Sequence, residues 1–171
     1  MEQAEEHDAN ITVQKELTDL GIIYKKLVID PMYADTHEFC KKYNYDEEDS
    51  GNTIIVASKN NPKTYCACLI LATTKLDVNK KVRSLISVRR LSFANPIETV
   101  AQTKMRIGGV TIFGLPAKMR KFIDSKVFNR ERIIVGGGGR STKLVINPEE
   151  LRKIPNVEFV ESLALPKRKD Q

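Results

Sequence analysis

Two glycine-bearing stretches are the parts of this sequence best suited to chemistry. One is Gly108-Gly109-Val110-Thr111-Ile112-Phe113-Gly114-Leu115-Pro116, and the other is Gly136-Gly137-Gly138-Gly139-Arg140-Ser141. Glycine permits positive φ and lets backbone N–H groups come close to a ligand oxygen, which suits oxyanions and phosphates. Neither stretch is a phosphate loop G-x-x-x-x-G-K-[ST] or a dinucleotide fingerprint G-x-G-x-x-G. The second also leads into a strand-like run, Lys143–Ile146, whereas nucleotide loops lead into helices. A nucleotide-dependent metabolic enzyme is therefore the weakest reading. From spacing alone, four glycines serve equally as a hairpin turn or as a ligand loop. Two such loops with basic residues nearby tilt the balance towards a site.

The reactive side chains add little. His7 falls in an acidic, polar terminus, and His37 falls on a short helix where a surface or capping role is expected. Cys40, Cys66 and Cys68 cannot close a disulfide framework, and neither histidine is spaced for zinc, so three buried, reduced thiols and no metal are expected.

The elements that must position the glycine stretches follow from periodicity. Val13, Leu17 and Leu20 recur at helical spacing, with Gly21 as a stop. Strands are expected at 22–29, 53–58, 64–73, 88–93, 120–123, 132–135 and 143–146, the second and third forming a hairpin across Asn60-Asn61-Pro62-Lys63. Asp35 or Thr36 caps a short helix, and Asp77 begins another. Asn95-Pro96-Ile97-Glu98 and Asn147-Pro148-Glu149-Glu150 are helix starts, with Asn as cap and Pro at the first helical position. Together these predict an α/β fold: a single domain over 1–171 with a mixed, partly barrel-like β-sheet and helices packed outside. Residues 1–9 and 165–171 are expected to be flexible ends.

No run approaches the roughly 18 apolar residues of a membrane span, and the N-terminus is too acidic for a secretory signal. A cytoplasmic location with no membrane partner is the resulting expectation. The net charge of +6 is unevenly spread, with basic residues concentrated in 80–90 and 118–132. Phosphate backbones attract such surfaces in a salt-sensitive way.

The order of segments is more specific than any one of them. TIIVAS, LDVNKKV, GGVTIFGLP, FIDSKV, RIIVGGGGRS and NPEELRKI, from about 53 to 163, resemble the YbaK/prolyl-tRNA-synthetase-associated domain family. The resemblance implies a trans-acting hydrolase that removes a wrong amino acid from the 3′ end of tRNA (tRNA-Pro-type editing), without cofactor or metal. Aminoacylated tRNA is the implied partner, and an aminoacyl-tRNA synthetase a further one.

Typical members carry a lysine immediately before the first strand and Gly-Gly-x-Ser-Pro-x-Gly in the first glycine loop. Here Asn52 stands at the lysine position and Ile112 at the proline position. Asparagine can donate and accept hydrogen bonds but has no charge. The implied catalytic set is Asn52 with Gly108, Gly109, Val110 and Thr111, the backbone N–H groups acting as oxyanion donors and Thr111 orienting the aminoacyl group. The implied substrate-binding set is Thr53, Lys59 and Ile112 with Gly136, Gly137, Gly138, Arg140 and Ser141, the last five holding the terminal adenosine and its phosphates. Valine at Gly109 is expected to block the ligand yet leave the fold largely intact. Lys80, Lys81, Arg83, Arg89, Arg90 and Arg140 are expected to hold tRNA electrostatically. The alternative function is a non-catalytic tRNA- or nucleotide-binding module.

Overall fold

The computed structural model describes residues 1–168. Helix α1 (Glu2–Asp19) buries Ala9, Val13 and Leu17; Val13 and Leu17 belong to the predicted stripe, while its third member, Leu20, is the half-buried C-cap. Its first two turns occupy the segment expected to be a flexible end. They are held there because the Glu6 carboxylate accepts from the N–H groups of Arg140 and Ser141, both at 2.8 Å, and from the Ser141 hydroxyl at 2.6 Å. Gly21, at φ +64°, turns the chain into β1 (Tyr24–Val28). Asp30 then caps a 3-10 turn, and α2 (Thr36–Tyr43) follows.

Strands β2 (Gly51–Ser58) and β3 (Tyr65–Leu71) form the expected hairpin, and β4 (Thr74–Leu76) follows as a short edge strand. The segment begun by Asp77 is helical from Val78 and ends in α3 (Arg83–Ile86). After β5 (Leu91–Phe93), α4 (Pro96–Thr103) opens with a complete capping box: Asn95 accepts from Glu98 N, and Glu98 accepts from Asn95 N. The chain continues through β6 (Arg120–Asp124), β7 (Ile133–Gly136), β8 (Thr142–Ile146), β9 (Val157–Val160) and β10 (Ala164–Pro166). Pro148–Lys153 is a 3-10 segment capped by Asn147.

The domain is mixed α/β, but its strands form three sheets and none closes as a barrel. One is five-stranded, in the order β5-β2-β3-β6-β9, antiparallel around β2 and parallel from β3 to β9. The second is β1-β8-β7, antiparallel throughout, and the third pairs β10 with β4. A single parallel bridge, Ser50 to Ile134, joins the first two. Just outside it, Asp49 accepts from Arg130 at 2.6 Å and from Arg132 at 3.0 Å. These ion pairs fix the entry to β2 beside the entry to β7.

The main core lies between those two sheets and α1. Ile55 and Leu69 meet Ile133, Val135 and Leu144, with Ile112, Phe113, Val13 and Leu17 closing the ends. Strand alternation then sends Asn52 on β2, Gly136 on β7 and Lys143 on β8 to the opposite face. That face is roofed by α2, whose Phe39 and Cys40 pack with Ile134. No described helix is long and apolar enough to cross a membrane.

Candidate active site

The opposite face carries a cavity of about 540 Å³ between α2, the end of β5 and the first glycine loop. Such a volume is typical of small-molecule sites. Its wall includes Thr36, Asn52, Thr53, Gly108, Val110, Gly136 and Lys143, with Phe93 and Ala94 as an apolar side.

Asn52 therefore reaches the cavity. Its side-chain oxygen accepts from the Thr36 hydroxyl at 2.8 Å, which fixes the amide at the N-terminal end of α2. Thr53 is beside it, and its hydroxyl is buried without a hydrogen-bond partner among the described residues. In the first glycine loop, Gly108 has φ +91° and lines the cavity with Val110. Among the described residues, the N–H groups of Gly108 and Val110 donate to no protein acceptor. Two backbone donors at a cavity wall are what a developing oxyanion requires.

The other expected site residues lie off this cavity. Gly109 donates to Arg106 O at 2.9 Å. A Cβ there would collide with the backbone of Gly138 and Gly139, so valine at this position must disturb the fold, contrary to expectation. Thr111 and Ile112 are fully buried, Ile112 in the main core. Lys59 borders a separate basic hollow with Arg83, Arg89 and Arg90.

The second glycine turn is closed from within. Gly137 donates to Thr142 O at 3.1 Å, Gly138 to Gly109 O at 2.8 Å, and Gly139 to Asn10 Oδ1 at 3.1 Å. Arg140 and Ser141 donate to Glu6. The Arg140 guanidinium donates to Ile107 O and Pro31 O at 2.7 and 2.9 Å, clamping the first glycine loop to the segment before α2. Gly136 alone of this turn lines the cavity. A side chain there would strike the carbonyls of Gly109 and Val110, so glycine lets the two loops stack.

Lys143 is not a candidate from the sequence, where it looks like an outward residue of an alternating strand. It is only 6% exposed. Its ammonium makes one long hydrogen bond, to Gly108 O at 3.4 Å, and lies 5.6 Å from the Phe39 ring centroid. Burial pulls its pKa down to about 8, an effect that Asp35 and Cys40 oppose and Arg140 reinforces. Cys40, Cys66 and Cys68 are buried and form no disulfide; burial pushes the Cys40 thiol up, and the hydrogen bond between Cys66 and Cys68 lowers the first and raises the second, but none of the three lines the cavity.

The aminoacyl-tRNA editing domain family matches residues 30–154, which contain every wall of the cavity. The chain belongs to that family. The match starts earlier than the resemblance at 53 suggests, taking in α2, and it leaves α1 outside. Two solved structures have a similar fold. The hypothetical protein APE2540 superposes with a TM-score of 0.78 at 21% identity, over 88% of this chain and 97% of that one. A candidate trans-editing enzyme for prolyl tRNA synthetase gives 0.76 at 18%, over 90% and 95%. At these identities the likeness is one of fold, and the editing domain's chemistry must be argued from its own residues.

Proposed function

We propose that this editing domain acts in trans, in the cytoplasm, as a deacylase for misacylated tRNA of the tRNA-Pro type. The observation that supports it best is the convergence on one cavity of two unused backbone donors, at Gly108 and Val110, with the Asn52 amide. An ester is neutral in the ground state and puts a full charge on its carbonyl oxygen in the tetrahedral intermediate, so preformed donors favour the intermediate.

In this reading water attacks the carbonyl carbon, giving up a proton, while the carbonyl π pair moves onto oxygen; a ribose hydroxyl of the substrate can orient that water. Collapse of the oxyanion breaks the bond to the ribose oxygen, which leaves with a proton; water attack yields the free amino acid and deacylated tRNA. Among the described residues the cavity wall offers no cysteine, histidine or serine as a nucleophile, which fits attack by water. Phe93 and Ala94 supply an apolar surface for a side chain or base. The test is direct: a panel of misacylated tRNAs is incubated with the protein and loss of the ester is followed. Release of at least one amino acid above the spontaneous rate is expected, and inertness towards every ester overturns the reading.

Asn52 supports a second reading, a non-catalytic module that binds the aminoacylated end or docks on an aminoacyl-tRNA synthetase. Its carbonyl is engaged with Thr36, and it brings no charge to the ester. Tight binding of tRNA together with inertness on the whole panel would favour this reading.

A further inference from the structure

Among the described residues Lys143 is the one basic side chain in the cavity wall, and three observations bear on what it does. The first is its position. The parallel bridge between Ser50 and Ile134 places Asn52 level with Gly136, two residues further along each strand, and Gly136 is paired with Lys143. Asn52, Gly136 and Lys143 thus form one row on one face, spanning about 10 Å at roughly 4.8 Å per strand. The middle residue has no side chain, so the cation looks across an open gap.

The second observation is its lack of partners. Among the described residues no carboxylate oxygen comes within 4 Å of the ammonium. Two of its three N–H donors are unused, because its single protein hydrogen bond goes to Gly108 O. A lysine 94% removed from solvent ordinarily has a paired charge. The third is the identity of that bond's acceptor: Gly108 lines the cavity and its own N–H has no protein acceptor among the described residues, so the ammonium is bonded to the same residue that carries one of the two unused donors.

Building on the deacylase reading, we infer that Lys143 is a catalytic residue that donates a hydrogen bond from its ammonium to the substrate's ester oxygen as negative charge develops there. It forms no covalent bond and gives up no net proton. Its charge acts together with the N–H groups of Gly108 and Val110, in a place where little water competes. The charged and titratable groups facing it are Asp35 and Cys40, at and within α2, and Arg140 from the second glycine turn.

Lys143→Met and Lys143→Arg are compared with the wild type on whichever misacylated tRNA is hydrolysed, after subtraction of spontaneous hydrolysis. Loss of one oxyanion donor commonly lowers kcat about 10²–10³-fold, so Lys143→Met is expected to lose about 10²-fold in kcat with KM little changed. A rise in KM alone would instead assign the lysine to a ground-state phosphate and overturn the oxyanion role. Wild-type kcat/KM should fall as pH rises through about 8, while Lys143→Arg, which keeps its charge, should retain activity there. Titration of the substrate's own amino group is common to both proteins and cancels. A wild-type to Lys143→Arg ratio of kcat/KM that does not fall through this range, or Lys143→Met with unchanged kcat, overturns the inference even though the deacylase reading stands. If the wild type is inert on every ester, the deacylase reading fails first. Binding of a non-hydrolysable 3′-aminoacylamino-adenosine then decides whether the lysine touches ligand, and equal affinity of wild type and Lys143→Met overturns that contact too.

Discussion

Replacing Lys143 by methionine should make the protein more stable while damaging its activity. The folded-state pKa lies near 8, against 10.5 for an ordinary lysine, chiefly because burial removes the ammonium from water. At 1.36 kcal/mol per pKa unit, a protonated Lys143 costs the folded state about 3 kcal/mol at neutral pH. The sign follows from proton counts. Below pH 8 both states are protonated and the whole cost is present. Between 8 and 10.5 the folded protein has released the proton and the unfolded chain still holds it, so the cost fades as pH rises. Methionine keeps the length and apolar stem without the charge, and loses only a long hydrogen bond to Gly108 O. A gain of about 1–3 kcal/mol is expected at pH 7, shrinking to about 1 kcal/mol or less at pH 10. Urea midpoints of the two proteins at both pH values provide the measurement, and every other titrating group cancels in the difference. A difference that does not change between pH 7 and 10, or a variant less stable at both, would refute the account of Lys143 as an uncompensated buried cation.

Asn52→Ala should lower kcat/KM about tenfold at most, since a neutral hydrogen bond is worth about 0.5–1.5 kcal/mol; a far larger loss in misacylated-tRNA hydrolysis would give the amide a greater role. Gly109→Ala should destabilise the fold by more than about 2 kcal/mol in denaturant titration, because its Cβ meets the Gly138–Gly139 backbone, and an unaffected midpoint would contradict that packing. Glu6→Gln should cost about 1–2 kcal/mol, since hydrogen bonds to a charged group are the stronger kind. Burial pushes the Glu6 carboxyl up, but bonds from Ser141 and Arg140 hold it below its usual value. Its contribution is thus present above the usual carboxylate pKa and lost as pH falls through the folded value, so wild type and variant should converge in acid unfolding. Neutralising Arg83, Arg89 and Arg90 together should weaken tRNA binding and reduce the slope of log K against log salt by about 0.9 for each phosphate that the protein then leaves unneutralised; an unchanged slope would place tRNA elsewhere on the surface.

The strands and caps that carry the site were legible because their signals are local. The β2–β3 hairpin follows from β-branched runs around an Asn-Asn-Pro turn, and the α4 start follows from Asn95, Pro96 and Glu98, whose capping box forms as written. The division into three sheets was not legible. Nothing local in Ser50 or Ile134 says that a single bridge joins β2 to β7, and β4, β9 and β10 are too short to show a period. Lys143 escapes a sequence reading for a similar reason. In Thr142-Lys143-Leu144-Val145-Ile146 the lysine alternates with apolar residues, the pattern of a solvent-facing side chain, and only the roof formed by α2 and Gly108 buries it.

The second glycine turn already holds an anion of the chain itself. Successive backbone donors freed by glycines do form a cradle for an anion, and the turn holds one: the Glu6 carboxylate, bound by Arg140 N, Ser141 N and the Ser141 hydroxyl. The anion comes from α1, 134 residues away in sequence, so no window around Gly136–Gly139 could reveal it. Its effect on the site is indirect. With the turn tied to α1, Gly138 N–H holds the Gly109 carbonyl, and Arg140 holds Ile107 and Pro31. The first glycine loop is thereby held at Ile107 and Gly109, and the Gly108 and Val110 N–H groups between and beyond them keep no protein acceptor among the described residues. The two glycine stretches differ accordingly: the second is tied to α1 by internal hydrogen bonds, and in the proposed deacylase the first is the surface that would meet the ester.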